Sequence, residues 1–221
     1  MSTSPGATTP TTDPTNVRPV PRVSARTRLL DAAIDIIRSK GLNATTVDEL
    51  CAAAGVTKGA YFHHFATKEA MAVAAAQRWS ETTGALFAHA AYHDVADARA
   101  RIFAYLKLRA ALIVGSPADY TCLVGTMAQE AFSTSPRVRA ACETSIFGHA
   151  ETLVADFTEA LAGLDPDAFP GVSAQGLAIH TQAVLQGAFV LSKAADDPAI
   201  VIESIAHLRR YFELLFPRPG E

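Results

Sequence analysis

The chain has 221 residues, of which 49% are hydrophobic and 19% are charged, and its formal net charge is −3. A chain of this length and apolar content can bury a sizeable core in one or two domains, which excludes a protein that is disordered throughout. No apolar run approaches the ~18 residues that cross a bilayer, and residues 1–22 lack the apolar segment of a secretory signal. We therefore expect a cytoplasmic protein without a membrane partner.

The charge is unevenly divided along the chain. Residues 15–68 carry eight Lys or Arg against four Asp or Glu, whereas residues 69–221 carry eleven against seventeen. The N-terminal quarter is therefore the part that suits a polyanionic partner.

The first predicted elements are an arm and a helix. Residues 1–21 are rich in Thr, Pro and Ser and have few large apolar groups, which is typical of a flexible segment. From Ser24, a suitable N-cap, apolar residues recur at helical spacing as far as Lys40, and Gly41 follows as a helix-ending residue. This pattern predicts an amphipathic helix of about four turns.

The next pattern predicts two short helices joined by a tight turn. Thr46 and Glu49 have the spacing of a capping box, and Gly55 can supply the left-handed conformation that ends this helix. Thr57 can cap the third helix. Two short helices with Gly in the turn between them have the layout of a helix-turn-helix, here over residues 45–64.

The rest of the chain also has helical periodicity, interrupted at clusters of Gly, Ser, Asp and Pro. A fourth helix begins after Thr67, and further helices are predicted near residues 94–114, 118–131, 136–162, 173–195 and 199–216. No strand-like alternation competes with them, and no internal repeat is present. The sequence therefore predicts an all-α fold of about nine helices.

The third helix places different side chains on its two faces, because residues four apart lie above one another. Tyr61 and Phe65 would pack on the first two helices. The outward set comprises a cation, a glycine, a phenyl ring and an imidazole: Lys58, Gly59, Phe62 and His63. In the major groove of DNA such groups can reach guanine acceptors, a thymine methyl and a base edge or phosphate. Spacing alone leaves open the alternative that the aromatic residues are core and the histidines are solvated.

The segment TTVDELCAAAGVTKGAYFHHFATKEAM resembles the DNA-binding signature of the TetR (tetracycline repressor) family of bacterial transcriptional regulators, within a likeness that covers residues 24–72 without a gap. The resemblance implies a DNA-binding domain over residues 22–82, which shares the fourth helix, and an effector-binding and dimerisation domain over residues 83–221. It implies a homodimeric repressor that binds a palindromic double-stranded operator and is released by an unknown small molecule. The last two predicted helices would pair with those of the mate; packing within one subunit is the alternative.

The resemblance assigns roles to eight positions. Thr46, His64 and Lys68 match phosphate contacts of the family, and the groove-facing positions are Thr57, Lys58, Gly59, Phe62 and His63. The family usually has Tyr where this sequence has Phe62. A hydroxyl that commonly reaches a phosphate is therefore absent, unless Tyr61 supplies it by a local shift.

Three arginines flank the start of this unit: Arg22, Arg26 and Arg28. Arginines in an N-terminal arm can enter the minor groove or contact phosphates. These three are candidates for such an arm, and ordinary solvated arginines are the alternative.

A ligand that switches DNA binding would need a pocket in the second domain. The candidate lining residues are Trp79, Phe87, Phe103, Tyr105, Tyr120, Cys122 and Met127, with plain core packing as the alternative for each. Cys122 stands in DYTCLVGTMAQE, which resembles a TetR subgroup in which some members sense electrophiles through a thiol. Thiol sensing and a buried structural cysteine are both open at this position.

Other chemistries have weaker sequence support. His89 and His93 have metal-ligand spacing on a helix, but neither a Cys cluster nor an HExxH motif accompanies them, so a solvated helix end is the favoured interpretation. The three cysteines lack CxxC spacing, which disfavours a disulfide framework and a zinc ribbon. No nucleophile with a base and no phosphate-binding loop has a readable spacing. We expect no catalytic residues, no metal and no cofactor, and a helical enzyme is the alternative from a different class.

Overall fold

The computed structural model of the protein describes residues 23–165 and 169–216. Over these residues it contains eleven α-helices, one 3₁₀ turn and no strand, so the predicted all-α fold is confirmed. The predicted arm over residues 1–21, and Arg22 with it, lie outside the described residues. None of the described helices is both long enough and apolar enough to cross a membrane.

The helices follow one another in the order α1 Ala25–Lys40, α2 Val47–Ala54, α3 Lys58–His64, α4 Lys68–Ala88, α5 Ala98–Ala111, α6 Pro117–Tyr120, α7 Leu123–Ala131, α8 Pro136–Glu151, α9 Val154–Leu161, α10 Ala174–Ala195 and α11 Ala199–Leu215, with the 3₁₀ turn at Ala91–Asp94.

The first four helices begin where the sequence indicates. The side chains of Ser24, Thr57 and Thr67 each accept a hydrogen bond from a backbone N–H of the first turn that follows. Thr46 and Glu49 form the expected capping box, and Gly55 ends α2 with φ 61° and ψ 44°. This left-handed conformation is accessible to glycine at little cost, and it turns the chain directly into α3.

Two of the longer predicted helices are each divided in the structure. The helix predicted over residues 118–131 is interrupted at Thr121 and Cys122, whose backbones are extended, so that Cys122 becomes the N-cap of α7. The helix predicted over residues 136–162 is divided at Thr152 and Leu153 into α8 and α9. Apolar residues keep a helical period across both breaks, and periodicity alone therefore did not locate them.

The described residues form two hydrophobic clusters. The first joins α1–α4 and includes Tyr61 and Phe65, but it also contains Met127 and other residues of α7 and α8. The second is built from α5, α9, α10 and α11 with the end of α8. Because α7 and α8 complete the core beneath the first four helices, a change in their position can be transmitted to α1 and α4.

Candidate functional site

The α2–α3 pair presents an inner and an outer face, as its sequence predicts. Tyr61 is fully buried and Phe65 is 3% exposed, whereas the neighbouring Phe62 is 57% exposed. The Tyr61 ring meets the Phe62 ring edge to face, with centroids 5.2 Å apart. Buried Tyr61 therefore fixes the position from which Phe62 projects into solvent.

Lys58 begins the outer face of α3. Its Nζ lies 2.7 Å from Asp48 Oδ1 of α2, and the hydrogen bond and charge of Asp48 raise the pKa of Lys58. Both side chains are largely exposed, so this ion pair contributes little to stability and can open in favour of another anion. Thr57, Gly59 and His63 are also exposed on this side of the helix-turn-helix.

Thr46 is exposed but already has hydrogen-bond partners. Its hydroxyl accepts from the backbone N–H of Glu49 and donates to the Glu49 carboxylate. A hydrogen bond from Lys40 and two from Thr46 lower the pKa of Glu49 to about 2. The start of α2 is thus held by an ionised Glu49, and a phosphate at Thr46 would have to share this hydroxyl.

Lys68 supports the fold as well as offering a charge. It is half-buried at the start of α4, where its Nζ donates to the backbone oxygen of Asn43 at 3.1 Å, and burial lowers its pKa. The Asn43 N–H donates to Glu130 Oε2 of α7 at 2.7 Å. Lys68 and Glu130 therefore hold the α1–α2 loop from two sides, which the sequence did not reveal. His64, at the end of α3, is half-buried.

Tyr61 cannot replace the hydroxyl that is missing at position 62. Its Oη atom is buried and has no hydrogen-bond partner among the described residues. The ring belongs to the core between α1, α2 and α3, so a phosphate outside the protein cannot reach it. The alternative that Tyr61 supplies this hydroxyl by a local shift is therefore wrong.

Arg26 and Arg28 do not belong to an extended arm, because α1 already begins at Ala25. The Arg26 guanidinium lies 5.6 Å from the centre of the Phe65 ring, and Arg28 lies beside Gly55 in the turn of the helix-turn-helix. Both side chains are exposed. They add positive charge to the compact unit itself, whereas Arg22 lies outside the described residues.

A cavity of about 300 Å³ lies among α1, α4, α5, α6, α8 and α10. Four of the expected residues line it: Trp79, Phe87, Tyr120 and Cys122. Its wall also contains the polar side chains of Arg38, Arg109, His149, Gln182 and Gln186. Sequence reasoning missed these polar residues, because they come from four helices and only Gln182 and Gln186, four residues apart on α10, share a spacing.

Three of the expected pocket residues do not line the cavity. Met127 is fully buried in the first cluster, because α7 packs against the N-terminal helices. Phe103 packs at the edge of the second cluster with the Arg209 guanidinium 5.3 Å from its ring centre. Tyr105 is buried, and its hydroxyl lies 2.9 Å from Nε2 of His149, which does line the cavity.

Arg38 connects α1 directly to the cavity. Its Nε donates to the Thr121 backbone oxygen at 2.8 Å, and a second nitrogen donates to the Asp119 backbone oxygen. Its guanidinium stacks 4.9 Å from the centre of the Trp79 ring, and burial lowers its pKa. A residue of the N-terminal helices therefore forms part of the wall of the second domain.

Cys122 differs from the other two cysteines. It is half-buried and lines the cavity, and its Sγ accepts a hydrogen bond from the Gly125 N–H at 3.4 Å at the start of α7. Cys51 and Cys142 are buried, and burial raises both pKa values, that of Cys142 to about 12. Of the three thiols, Cys122 is the one that a small molecule in the cavity can meet.

The histidines at the end of α4 are engaged separately. His89 Nδ1 lies 2.8 Å from the Ala85 backbone oxygen, and His93 Nε2 lies 3.1 Å from the Phe87 backbone oxygen. Over residues 23–165 and 169–216, no group of three or more His, Cys, Asp or Glu side chains is placed to hold a metal ion.

Two protein families match different parts of the chain. Residues 29–75 match the family of bacterial regulatory proteins known as the tetR family, and residues 98–206 match the C-terminal domain of LmrA/YxaF-like transcriptional regulators. The first match contains α2, α3 and the start of α4, and the second contains most of the cavity wall.

Curated relatives are similar over a short stretch of the chain. The HTH-type transcriptional repressor KstR2 of Rhodococcus jostii is 48% identical over 46 residues, and KstR2 of Mycobacterium tuberculosis is 44% identical over 48 residues. These matches span 21% and 22% of this chain and only 22% and 24% of the relatives' lengths.

Solved structures are similar over almost the whole fold. A TetR-family transcriptional regulator from Agrobacterium tumefaciens superposes with a TM-score of 0.73 at 17% identity, over 85% of this chain and 96% of its own. The reduced form of NemR from Escherichia coli superposes with a TM-score of 0.71 at 20% identity, over 84% of this chain and 95% of its own. At these identities the likeness establishes the shared fold.

Proposed function

Because this chain belongs to the TetR family of bacterial regulatory proteins, we propose that it is a DNA-binding transcriptional regulator whose α3 helix enters the major groove. The observation that carries the proposal is the outer face of α3, where Lys58, Phe62 and His63 are exposed around Gly59. A lysine, a flat apolar ring and an imidazole at the tip of a short helix can read base edges, while Gly59 lets the backbone approach closely. Thr46 and Lys68, at the starts of α2 and α4, flank this face as phosphate contacts.

The proposed regulator acts as a homodimer on a palindromic double-stranded operator. The last two helices pack one face into the second cluster and expose large apolar side chains on the other: Ile179, Val190, Leu191, Ile202, Tyr211 and Leu214. Pairing α10 and α11 with those of a second copy would bury them in a four-helix arrangement. The two α3 helices would then meet half-sites about 34 Å apart.

The cavity supports regulation by a small molecule. It lies against Trp79 on α4, the helix that continues from the DNA-binding unit, and against Arg38 on α1. A ligand that moves either residue would change the separation of the two α3 helices and release the operator. We therefore propose repression that is relieved by a ligand; the curated relative from Rhodococcus jostii is itself named a transcriptional repressor. A regulator of bacterial genes works where the chromosome lies, in the cytoplasm, and needs no catalytic residues.

The proposal is tested by gel-shift binding of the purified protein to the DNA that flanks its own gene, at several salt concentrations. Binding should be specific and should weaken steeply with salt, because several phosphates release counterions. A duplex of scrambled sequence serves as the control. Equal affinity for both duplexes, or no binding at low salt, would rule out the assigned function.

A second candidate is a thiol-based electrophile sensor of the same fold. Cys122 favours it, because this cysteine lines the cavity and stands at a helix start where a backbone N–H already points at its sulfur. In the proposed reaction the thiol gives its proton to solvent and the sulfur bonds to one carbon of the electrophile's C=C bond. The π bond breaks as the C–S bond forms, and the neighbouring carbon takes a proton from solvent. Cys122→Ser should keep operator binding but abolish release by an electrophile such as N-ethylmaleimide, whereas Cys142→Ser should respond normally. If Cys122→Ser were still released from the operator by the electrophile, sensing through Cys122 would be ruled out.

A further inference from the structure

The cavity has an apolar body and one polar end. Leu86, Phe87, Ile113 and Phe189 supply apolar wall. The polar end is formed by Arg109 of α5, His149 of α8 and Gln182 of α10. A cavity of about 300 Å³ with this division suits a small amphipathic molecule rather than water alone.

Arg109 brings a charge to this end without an acidic partner. Its guanidinium lies over three aromatic rings, 5.2 Å from the centre of Phe87 and 6.0 Å from those of Tyr105 and Phe189. No carboxylate of the described residues lies within ion-pair distance of it. A guanidinium keeps its charge in proteins, and its planar fork fits a carboxylate in two parallel hydrogen bonds. The Tyr105 hydroxyl takes a side-chain hydrogen bond from Arg109. The rings stabilise the cation but leave its remaining N–H donors open to an anion.

Gln182 adds an unused donor beside this charge. The residue is 6% exposed and lines the cavity. Its side chain lies close to the Tyr105 hydroxyl, but its Nε2 makes no hydrogen bond of normal geometry among the described residues. A buried amide nitrogen without a partner costs free energy that a bound acceptor would recover. His149 stays neutral here, since burial and the charge of Arg109 lower its pKa to about 4, and its Nε2 is engaged with Tyr105.

The other charged groups of the wall are already engaged. Arg38 donates to the backbone oxygens of Thr121 and Asp119 and stacks on Trp79. The Asp119 carboxylate accepts from the backbone N–H and hydroxyl of Ser116, both at 2.7 Å. Arg109 is therefore the charged group of the wall whose donors are not all engaged, and Gln182 Nε2 is a buried nitrogen of the wall without a hydrogen bond of normal geometry.

We propose that the cavity takes an organic anion, whose carboxylate or sulfonate meets Arg109 and Gln182 while its apolar body lies against Phe87 and Phe189. This inference rests on the proposed function, since it names the chemical class of the releasing ligand. The acid group compensates the unpaired guanidinium, and the apolar body fills the space next to Trp79.

The test uses two probes that share one ring skeleton, the anion 8-anilinonaphthalene-1-sulfonate and the neutral N-phenyl-1-naphthylamine. Trp79 is the single tryptophan of the chain and lines the cavity, so quenching of its fluorescence reports binding there. Both probes are titrated into the full-length protein and into Arg109→Gln, with Arg139→Gln as the control, because Arg139 is an exposed arginine of α8. Gln182→Leu is a second variant that leaves every charge in place.

The wild type and Arg139→Gln should bind the anionic probe about tenfold more tightly than the neutral one, as expected for a charge-assisted hydrogen bond. Arg109→Gln should lose this preference while it still binds the neutral probe, and Gln182→Leu should weaken the anionic probe about fivefold. Equal affinity of the wild type for both probes, or an Arg109→Gln variant that keeps the preference, would overturn the inference.

Release of labelled operator is measured separately, by fluorescence anisotropy with the anionic probe at saturation. If the probe binds through Arg109 but the operator stays bound, the anion site stands and the proposed ligand release fails. If only the neutral probe releases the operator, the proposal that the ligand is an organic anion is overturned, while release by a ligand stands.

Discussion

The outer face of α3 takes its side chains from residues 57–63, whereas the cavity takes its wall from residues between Arg38 and Phe189 on separate helices. In the first region the side chains are exposed, and their neighbours lie within the two short helices α2 and α3, as Asp48 and Lys58 do. In the second, a polar group such as Gln182 is buried, and its neighbours are set by how distant helices pack. We therefore expect the stability and operator binding of the helix-turn-helix to depend on the residues buried beneath α3. The properties of the cavity should depend on the charged residues of its wall.

The largest expected effect concerns the support beneath α3. Tyr61→Ala should lower the free energy of unfolding by about 3–5 kcal/mol, because it removes a fully buried ring. Tyr61→Phe should leave stability unchanged or raise it by up to about 1 kcal/mol, since the buried hydroxyl has no partner among the described residues. Denaturation by urea measures both. A loss of more than about 1 kcal/mol in Tyr61→Phe would mean that the hydroxyl is hydrogen-bonded.

The next effect tests the buried charges around the cavity. The pKa of His149 is about 4 in the folded protein against 6.5 in the unfolded chain. Between these values the unfolded chain binds a proton that the folded protein does not, so the contribution of His149 is complete above pH 6.5 and is lost as the pH falls towards 4. The loss should reach about 3 kcal/mol by pH 4. Thermal unfolding of His149→Gln should lack this component, whereas the exposed His207→Gln should retain it.

The third prediction separates two cations of the DNA-facing surface. Lys58→Ala should change the preference among operator sequences by about 1–3 kcal/mol, because Lys58 would contact a base edge. Lys68→Ala should weaken binding to every sequence and reduce the salt dependence by about one counterion, since a phosphate contact is lost. Competition gel shifts with single base-pair variants of the operator measure both. If the two variants affected all sequences alike, the assigned division of roles would be wrong.

The smallest expected effect concerns the contact between α7 and the α1–α2 loop. Glu130→Ala removes the carboxylate that accepts a hydrogen bond from the Asn43 N–H. This change should lower the free energy of unfolding by about 1 kcal/mol, because one exposed hydrogen bond at the α1–α2 loop is lost. Operator affinity should fall as well, because this loop leads into α2. Glu143→Ala changes an exposed carboxylate of α8 and should leave both quantities unchanged. Unaltered operator affinity in Glu130→Ala would mean that α7 does not position the helix-turn-helix.

Local rules were enough to predict the first four helices. Ser24, Thr46, Thr57 and Thr67 are caps whose hydrogen bonds close within three residues, so the sequence contains the whole interaction. The split of Tyr61 and Phe62 between two faces follows from helical spacing in the same way. The TetR likeness of this segment then identified the fold before any contact was known.

The cavity could be predicted only in part. Trp79, Phe87, Tyr120 and Cys122 were found because apolar residues fill the second domain, but the same argument also selected Met127, which packs under the N-terminal helices. The break at Thr121 is stabilised from outside, because Arg38 binds its backbone oxygen across 83 positions of the chain. Arg109 and Gln182 become neighbours only through the packing of α5 on the rest of the domain. Contacts of this kind have no spacing that one sequence can display.

Arg38 has a consequence for genetics. It lies inside the segment that matches the TetR DNA-binding family, yet its guanidinium closes the wall of the cavity and its carbonyl accepts from Lys193 of α10 at 2.9 Å. Under the proposed release by a ligand, alleles at this codon would therefore produce a protein that still recognises its promoter but no longer answers to its inducer. A selection for super-repressed strains would recover them among mutations that a domain map alone would assign to operator recognition.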